Sequence, residues 1–289
     1  MAKEINFLPK EIPKYKARVL GEEDREFYEE VFSKTAEKYG RNSLAYKNII
    51  NGINPEEVTG SNFLFNTEAG LYLKEGSKVL TLEDIDNILA TDKNFFNGFY
   101  TDTNQLVLRN NKDSYEKNQL IINYLIKELK SSGYEFSPEN PLVITNPELV
   151  PDKKSPNEGY GLIAKLGKDT KLRNDKRLAS GKNKINLGNL EKGLYTKDNG
   201  LSGVCLGGGG GLDVGGGSLG DSDDDGRVVA VSDAEGVAPK ILEEYATDQK
   251  ALKELKKEQK ILSEEMKKYK TQIEKINKKY QETLDLLRG

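Results

Sequence analysis

The sequence predicts an α+β fold followed by a helical tail, and three observations carry that reading. Helix-like apolar periodicity is concentrated in roughly the first 130 of 289 residues. Short strand-like runs separated by loops come after it, and beyond Pro239 an apolar repeat of seven takes over. Helices early and strands late differ from the strict alternation that builds a parallel sheet. The regions expected are an N-terminal arm and helical region (1–92), a mixed domain (93–239) and a coiled coil (240–289).

The first twenty residues, with Pro9 and Pro13, read as an extended arm. Glu22 to Gly40 reads as a helix with Phe27, Val31, Phe32 and Ala36 on one face and Gly40 as its stop. Asn54-Pro55-Glu56-Glu57 carries the cap, first-turn proline and acidic start of another short helix. Ser61 to Leu80 reads as short strands with glycine turns. TLEDIDNILA, opening at Thr81 with Asp84 three residues on, has the form of a capping box. Asp84 and Asp86 lie two apart on that helix, so they are expected in solvent rather than as a catalytic carboxylate pair.

NGFYTDTNQLVLRN suggests a hairpin or strand pair. In the helix pattern that follows, Asp113 is a cap candidate with Glu116 three later, Gly133 lies past the end, and Leu120, Ile121, Tyr124, Leu125, Ile126 and Leu129 form a broad apolar face. The strand-like runs are Pro141 to Ile144, Tyr160 to Gly167, Lys184 to Gly188, Gly203 to Leu206 and Arg227 to Ser232. The polar chain from Asp152 to Lys182 is expected as long surface loops. In the tail, Tyr245, Leu252, Gln259, Met266, Ile273, Tyr280 and Leu287 recur every seven residues, with Asp248, Leu255, Leu262, Tyr269, Ile276 and Thr283 between them. That seam predicts a coiled coil for self-association or docking, with polar Gln259 fixing its register. A single helix folded back on the body is the alternative.

Composition narrows the function classes. The chain has no histidine, which removes imidazole bases, serine–histidine triads and HExxH zinc sites. Its one cysteine, Cys205, forms no internal disulfide and has no histidine partner for nucleophilic work. With 44 basic and 47 acidic residues there is no global field for nucleic acid or an anionic membrane. No stretch resembles a secretory signal or a membrane span, so the expectation is a cytoplasmic chain, with association to a virion or cell surface left open.

The segment from Ser202 to Arg227 departs from everything around it. Ten of the eighteen residues from Gly203 to Gly220 are glycine, as a flexible linker would have. Spaced aliphatics resist that reading, as does the strand pattern RVVAVS that follows directly. Asp221, Asp223, Asp225 and Gly226 open like a calcium loop, but Ser232 stands where its glutamate belongs. Gly208 to Asp213 begins like a calcium-binding nonapeptide, with Gly215 where a large apolar residue is required. Acidic Asp-Gly clusters form turns more often, so a turn and no metal or cofactor is expected.

Between Ser202 and Asp225 there is no Lys, Glu, Gln, Met or Trp. Gly, Asp, Ser, Val and Cys each have a codon reachable from AAC by changing only its adenines, and such changes never yield the five missing residues. This separates a scaffold of Leu201, Val204, Leu206, Leu212, Leu219, Gly226 and Arg227 from exchangeable positions. Those are Ser202, Gly203, Cys205, Gly207, Gly208, Gly209, Gly210, Gly211, Asp213, Val214, Gly215, Gly216, Gly217, Gly220, Asp221, Asp223 and Asp224.

With NGLSGV, the spaced leucines and DSDDDGRVVAVS in this order, the chain resembles the variable proteins of archaeal diversity-generating retroelements. The likeness runs from about Asn94 to Ser232 and includes GYGLIAKLG. It implies a C-type-lectin-like domain whose exposed ligand face is rewritten by a reverse transcriptase that errs at adenines. The closing GRVVAVS would be the family's invariant last strand. Here a long tail follows the variable stretch, which departs from that pattern. What the resemblance implies is a non-catalytic binder of a protein or surface ligand that differs between variants. A face made mostly of hydrogen side chains would bind weakly, with any preference for cations. The alternative expectation is an assembly protein in which the glycines are a spacer and the coil does the work.

Overall fold

The computed structural model describes residues 16–130 and 133–232. The chain divides into two units, 1–233 and 234–289, and the heptad pattern lies outside the described residues. The first unit is mixed α/β, with a curled seven-stranded sheet and few helices. Among the described residues no helix is long and apolar enough to cross a membrane.

The strands are β1 (Lys16–Val19), β2 (Ser77–Val79), β3 (Thr101–Leu108), β4 (Leu142–Thr145), β5 (Glu148–Pro151), β6 (Leu162–Lys165), β7 (Lys171–Asn174), β8 (Lys184–Leu187), β9 (Leu190–Thr196), β10 (Leu201–Leu206), β11 (Leu212–Val214) and β12 (Val229–Ser232). The helices are α1 (Arg25–Tyr39), α2 (Leu44–Ile49), α3 (Phe63–Ala69), α4 (Leu82–Thr91) and α5 (Glu116–Leu129). The large sheet runs β7-β4-β3-β10-β11-β9-β8, antiparallel except where β11 lies parallel to β9. A second sheet places β12 between β1 and β2, and β5 pairs with β6.

Each expected strand run overlaps an observed strand, and α5 and α4 form where their patterns predict, but Asp113 does not cap α5: Tyr115 holds the N-cap position without a side-chain bond, and Asp113 pairs with Lys197. The Thr81 hydroxyl and Asp84 carboxylate close the capping box reciprocally. Other expectations are corrected. Residue 92 is no boundary, because β1 and β2 both pair with β12 and helices α1 to α3 share one core with α5. Asn54 caps only a turn: its side chain accepts from the N–H groups of Glu56 and Glu57, and then Val58 enters the left-handed region at φ 53°. Ser61 to Leu80 holds α3, capped by Asn62, with only β2 as strand. NGFYTDTNQLVLRN is one long central strand. Helix α1 packs its expected face of Phe27, Val31, Phe32 and Ala36 on the core, and its most deeply buried residues are Tyr28, Val31, Thr35 and Tyr39. Asp84 is buried and paired with Lys78 at 2.8 Å rather than solvated, and Asp86 pairs with Arg177. The Asp152–Lys182 chain is not all surface loop, since β6, β7 and buried Tyr160 belong to it.

Both faces of the large sheet carry packed cores over part of their area, and strand alternation sorts its residues between them. Leu106, Leu108, Leu142, Ile144 and Leu201 join the core under α1, α2, α3 and α5. Val107, Val143, Val204, Leu206, Leu212 and Val214 join a second core with α4 and the β12 sheet. This sorting positions the glycine stretch.

Candidate ligand-binding face

The glycine stretch is not a spacer between domains: it supplies β10 and β11, adjacent strands inside the large sheet. On β10, Val204 and Leu206 turn into the second core, while Gly203 and Cys205 turn the other way. On β11, Leu212 and Val214 are fully buried and Asp213 faces the other side with Cys205. A bulge between Gly203 and Cys205 marks where β10 adjusts its register against β3.

The outward side forms an open concavity of about 630 Å³. Ladder register puts four side chains in one row across it. Asp102 on β3 pairs with Cys205 on β10, Cys205 with Asp213 on β11, and Asp213 with Tyr195 on β9. All four line the cavity, and Tyr195 is among the few large apolar side chains left exposed. Burial pushes the Asp102 carboxyl well above the usual carboxylate range, reinforced by the negative charge of Asp213. Burial first, then Asp102 and Asp213, likewise pushes the Cys205 thiol up.

The aspartate-rich segment closes as a turn, with the Gly226 N–H donating to the Asp223 carbonyl at 3.0 Å. Tyr100 anchors it. Its hydroxyl lies 3.0 Å from Ser222 Oγ and accepts from the Asp223 N–H at 2.5 Å, and its backbone bonds Asp225 and Arg227. Burial pushes the Tyr100 phenol up to about 12, against the hydrogen bonds from Ser222 and Asp223. Ser222 Oγ also accepts from the Ser61 N–H at 2.7 Å. Asp221, Asp223, Asp224 and Asp225 remain exposed, and among the described residues no three acidic or thiol groups converge as a metal site requires.

Not every expected exchangeable position belongs to this face. Ser202 is buried: its hydroxyl accepts from Arg109 Nη1 at 3.0 Å and donates to the Val214 carbonyl at 2.6 Å, tying β10 to β11. Val214 is a core residue. A side chain on Gly220 would put its first carbon 2.8 Å from the Asn48 carbonyl oxygen, and Gly210 sits at φ +79°, where side chains are strained. These four are corrected to scaffold. Gly209 and Gly216 have open space, Gly203, Gly207 and Gly217 ordinary contact distance, and Gly208, Gly211 and Gly215 tight but nearly adequate room. Gly226 leaves no room for a side chain: an added carbon would lie 2.6 Å from the Ser61 nitrogen and 2.7 Å from the Tyr100 ring.

Sequence reasoning missed Tyr100, Asp102, Gly193, Tyr195, Ser218 and Ser222, which also line the cavity. The alternation in TDTNQLVL marks Asp102 as sharing a face with Asn104 and Leu106, but nothing local says which strand lies beside it. No family model, no curated protein and no solved structure matches this chain.

Proposed function

We propose that the chain is a non-catalytic ligand-binding protein of C-type-lectin-like architecture. Its concave face around β10 and β11 is diversified by adenine-directed substitution, and the heptad tail gathers or docks copies. The supporting observation is the parity of the segment: most residues that adenine changes would reach turn to an open concavity, while the aliphatics between them turn to the core. Weak heads joined through a coil would gain avidity without any new contact.

The ligand class that fits this variant is an organic cation. Carboxylates at Asp102 and Asp213 flank the small Cys205 side chain, one strand spacing to either side, and a Tyr195 ring closes the row. A guanidinium on a flexible chain meets both acids and stacks on the ring. Asp102 and Tyr195 lie outside the exchanged stretch, so this preference is shared by sister variants and only its strength is rewritten. The catalytic reading has little support, because a thiol whose ionisation is opposed by burial and two carboxylates makes a poor nucleophile.

The test is a calorimetric titration of the full chain with a short arginine-containing peptide and its glutamate counterpart. The arginine peptide is expected to bind more tightly, and Asp213→Asn to weaken it about tenfold. Affinity is expected to rise with pH, because the cation favours ionised Asp102 while burial favours the protonated form. Equal binding of both peptides would refute the ligand class. Coding DNA lacking C- or T-ending codons over 202–225 would refute the diversification.

A further inference from the structure

The chain holds three Asn-Gly pairs: Asn51-Gly52, Asn97-Gly98 and Asn199-Gly200. Asparagine is among the chemically labile residues, and a following glycine opens its route. The glycine backbone nitrogen attacks the asparagine Cγ, with no Cβ to hinder its approach. The new N–Cγ bond closes a five-membered imide. The Cγ–Nδ2 bond breaks, and the Nδ2 group leaves as ammonia with the proton that the glycine nitrogen gave up. Water then reopens the ring. Cleavage at Cγ gives aspartate, whereas cleavage at the backbone carbonyl carbon gives isoaspartate, whose main chain runs through Cγ and gains one carbon.

All three asparagines are exposed, so access of water does not separate them. What separates them is whether the two reacting atoms can turn to within about 3–3.5 Å of each other in line for attack. At Asn199 the nucleophile is engaged: the Gly200 N–H donates to Asn110 Oδ1 at 3.1 Å, and the Gly200 carbonyl accepts from the Arg109 N–H at 2.9 Å. At Asn51 the side chain is tied. Its Nδ2 donates to the Gly220 carbonyl at 2.9 Å, and its own carbonyl accepts from Asn62 Nδ2 at 3.2 Å. Gly52 is also wedged, since an added carbon would lie 2.5 Å from the Ser222 carbonyl oxygen.

Asn97-Gly98 lies in the turn between α4 and β3 and carries neither restraint. The Gly98 N–H makes no hydrogen bond among the described residues, and an added carbon at Gly98 would meet nothing within 4 Å. The Asn97 amide is held only by a long 3.4 Å bond to Asn94 Oδ1. The surroundings make the outcome matter. Phe96 precedes the pair and Phe99 follows it, with ring centroids 6.0 Å apart, and Tyr100 comes next. Tyr100 holds the aspartate-rich turn through Ser222 and Asp223. One extra main-chain carbon between the two phenylalanines cannot be absorbed without moving one of them.

We propose that Asn97-Gly98 is a self-modifying site. The folded chain converts it through the imide to isoaspartate and aspartate, while Asn51 and Asn199 are held back by their contacts. The isoaspartate form displaces Tyr100 and with it the turn at Asp223. The chemistry needs only water and stands whether or not the neighbouring concave face binds a ligand.

The test is a time course of the full chain at pH 8, folded and in urea, with each Asn-Gly pair followed by tandem mass spectrometry of tryptic peptides. In urea the three pairs should react at similar rates, because the contacts that distinguish them are gone. In the folded chain Asn97 should stay within about threefold of its urea rate, and Asn51 and Asn199 should fall at least about tenfold below theirs. Asn97 as protected as the other two would overturn the proposal, and so would three unprotected pairs. The displacement is read separately, from amide spectra of the aged ¹⁵N-labelled chain. New resonances are expected at Tyr100 and Asp223, and Asn97→Gln, which cannot close a five-membered imide, should show none over the same time. The Asn97 side chain is exposed, so that variant should keep the wild-type melting temperature. New resonances confined to residues 96–99, or present equally in Asn97→Gln, would overturn the displacement.

Discussion

Alanine substitution along the glycine stretch separates a replaceable surface from its frame. At Gly209 an added carbon meets nothing within 4 Å, and the backbone is not left-handed. The only consequence is a less disordered unfolded chain, which stabilises by about 0.4–1 kcal/mol. At Gly226 the same carbon would sit 2.6 Å from the Ser61 nitrogen and 2.7 Å from the Tyr100 ring. Neither yields easily. Ser61 N–H is bonded to Ser222, and the Tyr100 hydroxyl is held by Ser222 and Asp223. Overpacking of this kind costs about 1–3 kcal/mol, and the contacts here put Gly226→Ala at the upper end. The two variants should therefore differ by about 3.5 kcal/mol, or roughly 10 °C in melting temperature for a domain of this size. Gly216→Ala should follow Gly209, and Gly220→Ala, 2.8 Å from the Asn48 carbonyl, should follow Gly226. Thermal unfolding by circular dichroism reads the difference, at one fixed protein concentration. If Gly226→Ala melts with Gly209→Ala, the division into surface and frame is wrong.

Two further outcomes follow from the same region. Cys205 should be alkylated by iodoacetamide at pH 8 at least about tenfold more slowly in the folded chain than in urea, because burial and two carboxylates oppose the thiolate. Asp213→Asn should narrow that gap, and equal rates would show the thiol to be unshielded. Lys197→Met should cost about 3 kcal/mol at pH 7, since it strips the 2.8 Å ion-pair partner from the fully buried Asp113 carboxylate. Burial opposes ionisation of Asp113, but Lys197 and the N–H groups of Leu201 and Tyr115 outweigh it and hold its pKa below the usual value. A depressed carboxylate stabilises above its unfolded pKa and loses that contribution as pH falls through the folded value. Urea midpoints of wild type and variant should therefore converge as the pH falls below about 4, the unfolded carboxylate value, and a constant gap would refute the assignment.

What the sequence disclosed was what short-range chemistry decides. Thr81 and Asp84 form a reciprocal cap whatever packs outside it, and the apolar face of α5 needs no partner to be visible. In the glycine stretch, aliphatics spaced among exchangeable types were enough to show strands rather than a linker. Helix α3 was hidden because all seven of its residues are buried, so no polar face exists to reveal a period. Asn54 to Glu57 has the chemistry of a helix start, but a cap starts only what the next turns can continue, and Val58 turns left-handed against the Asn54–Thr59 bridge. The union of 1–92 with the later chain rests on Lys16 pairing with Ser232, a contact no local pattern announces. At the candidate site, Val214 and Ser202 were misassigned because residue type says which codons are reachable, not which way a side chain turns. Gly220 and Gly209 are identical letters; only the Asn48 carbonyl tells them apart.

The parity of β10 and β11 also constrains what kind of change the face can absorb. Alternation has period two, so a one-residue insertion between Leu206 and Leu212 can be taken up only in the loop that joins the strands. Within Leu212–Val214, the same insertion would turn Asp213 into the core and an aliphatic side chain into the cavity. It would also shift β11 against β9, whose parallel pairing Leu212–Leu194 and Asp213–Tyr195 is fixed by buried partners on one face only. Substitution carries no such penalty at Gly203, Cys205 or Asp213, because side-chain identity on the open side leaves the ladder and the opposite face untouched. Base replacement without a change of length therefore keeps the strand register and spares the core at these open positions, whereas a length change within the strands does not. The physical requirement for a rewritable surface is thus fixed strand register as much as exposure, and β10 and β11 meet it through Val204, Leu206, Leu212 and Val214.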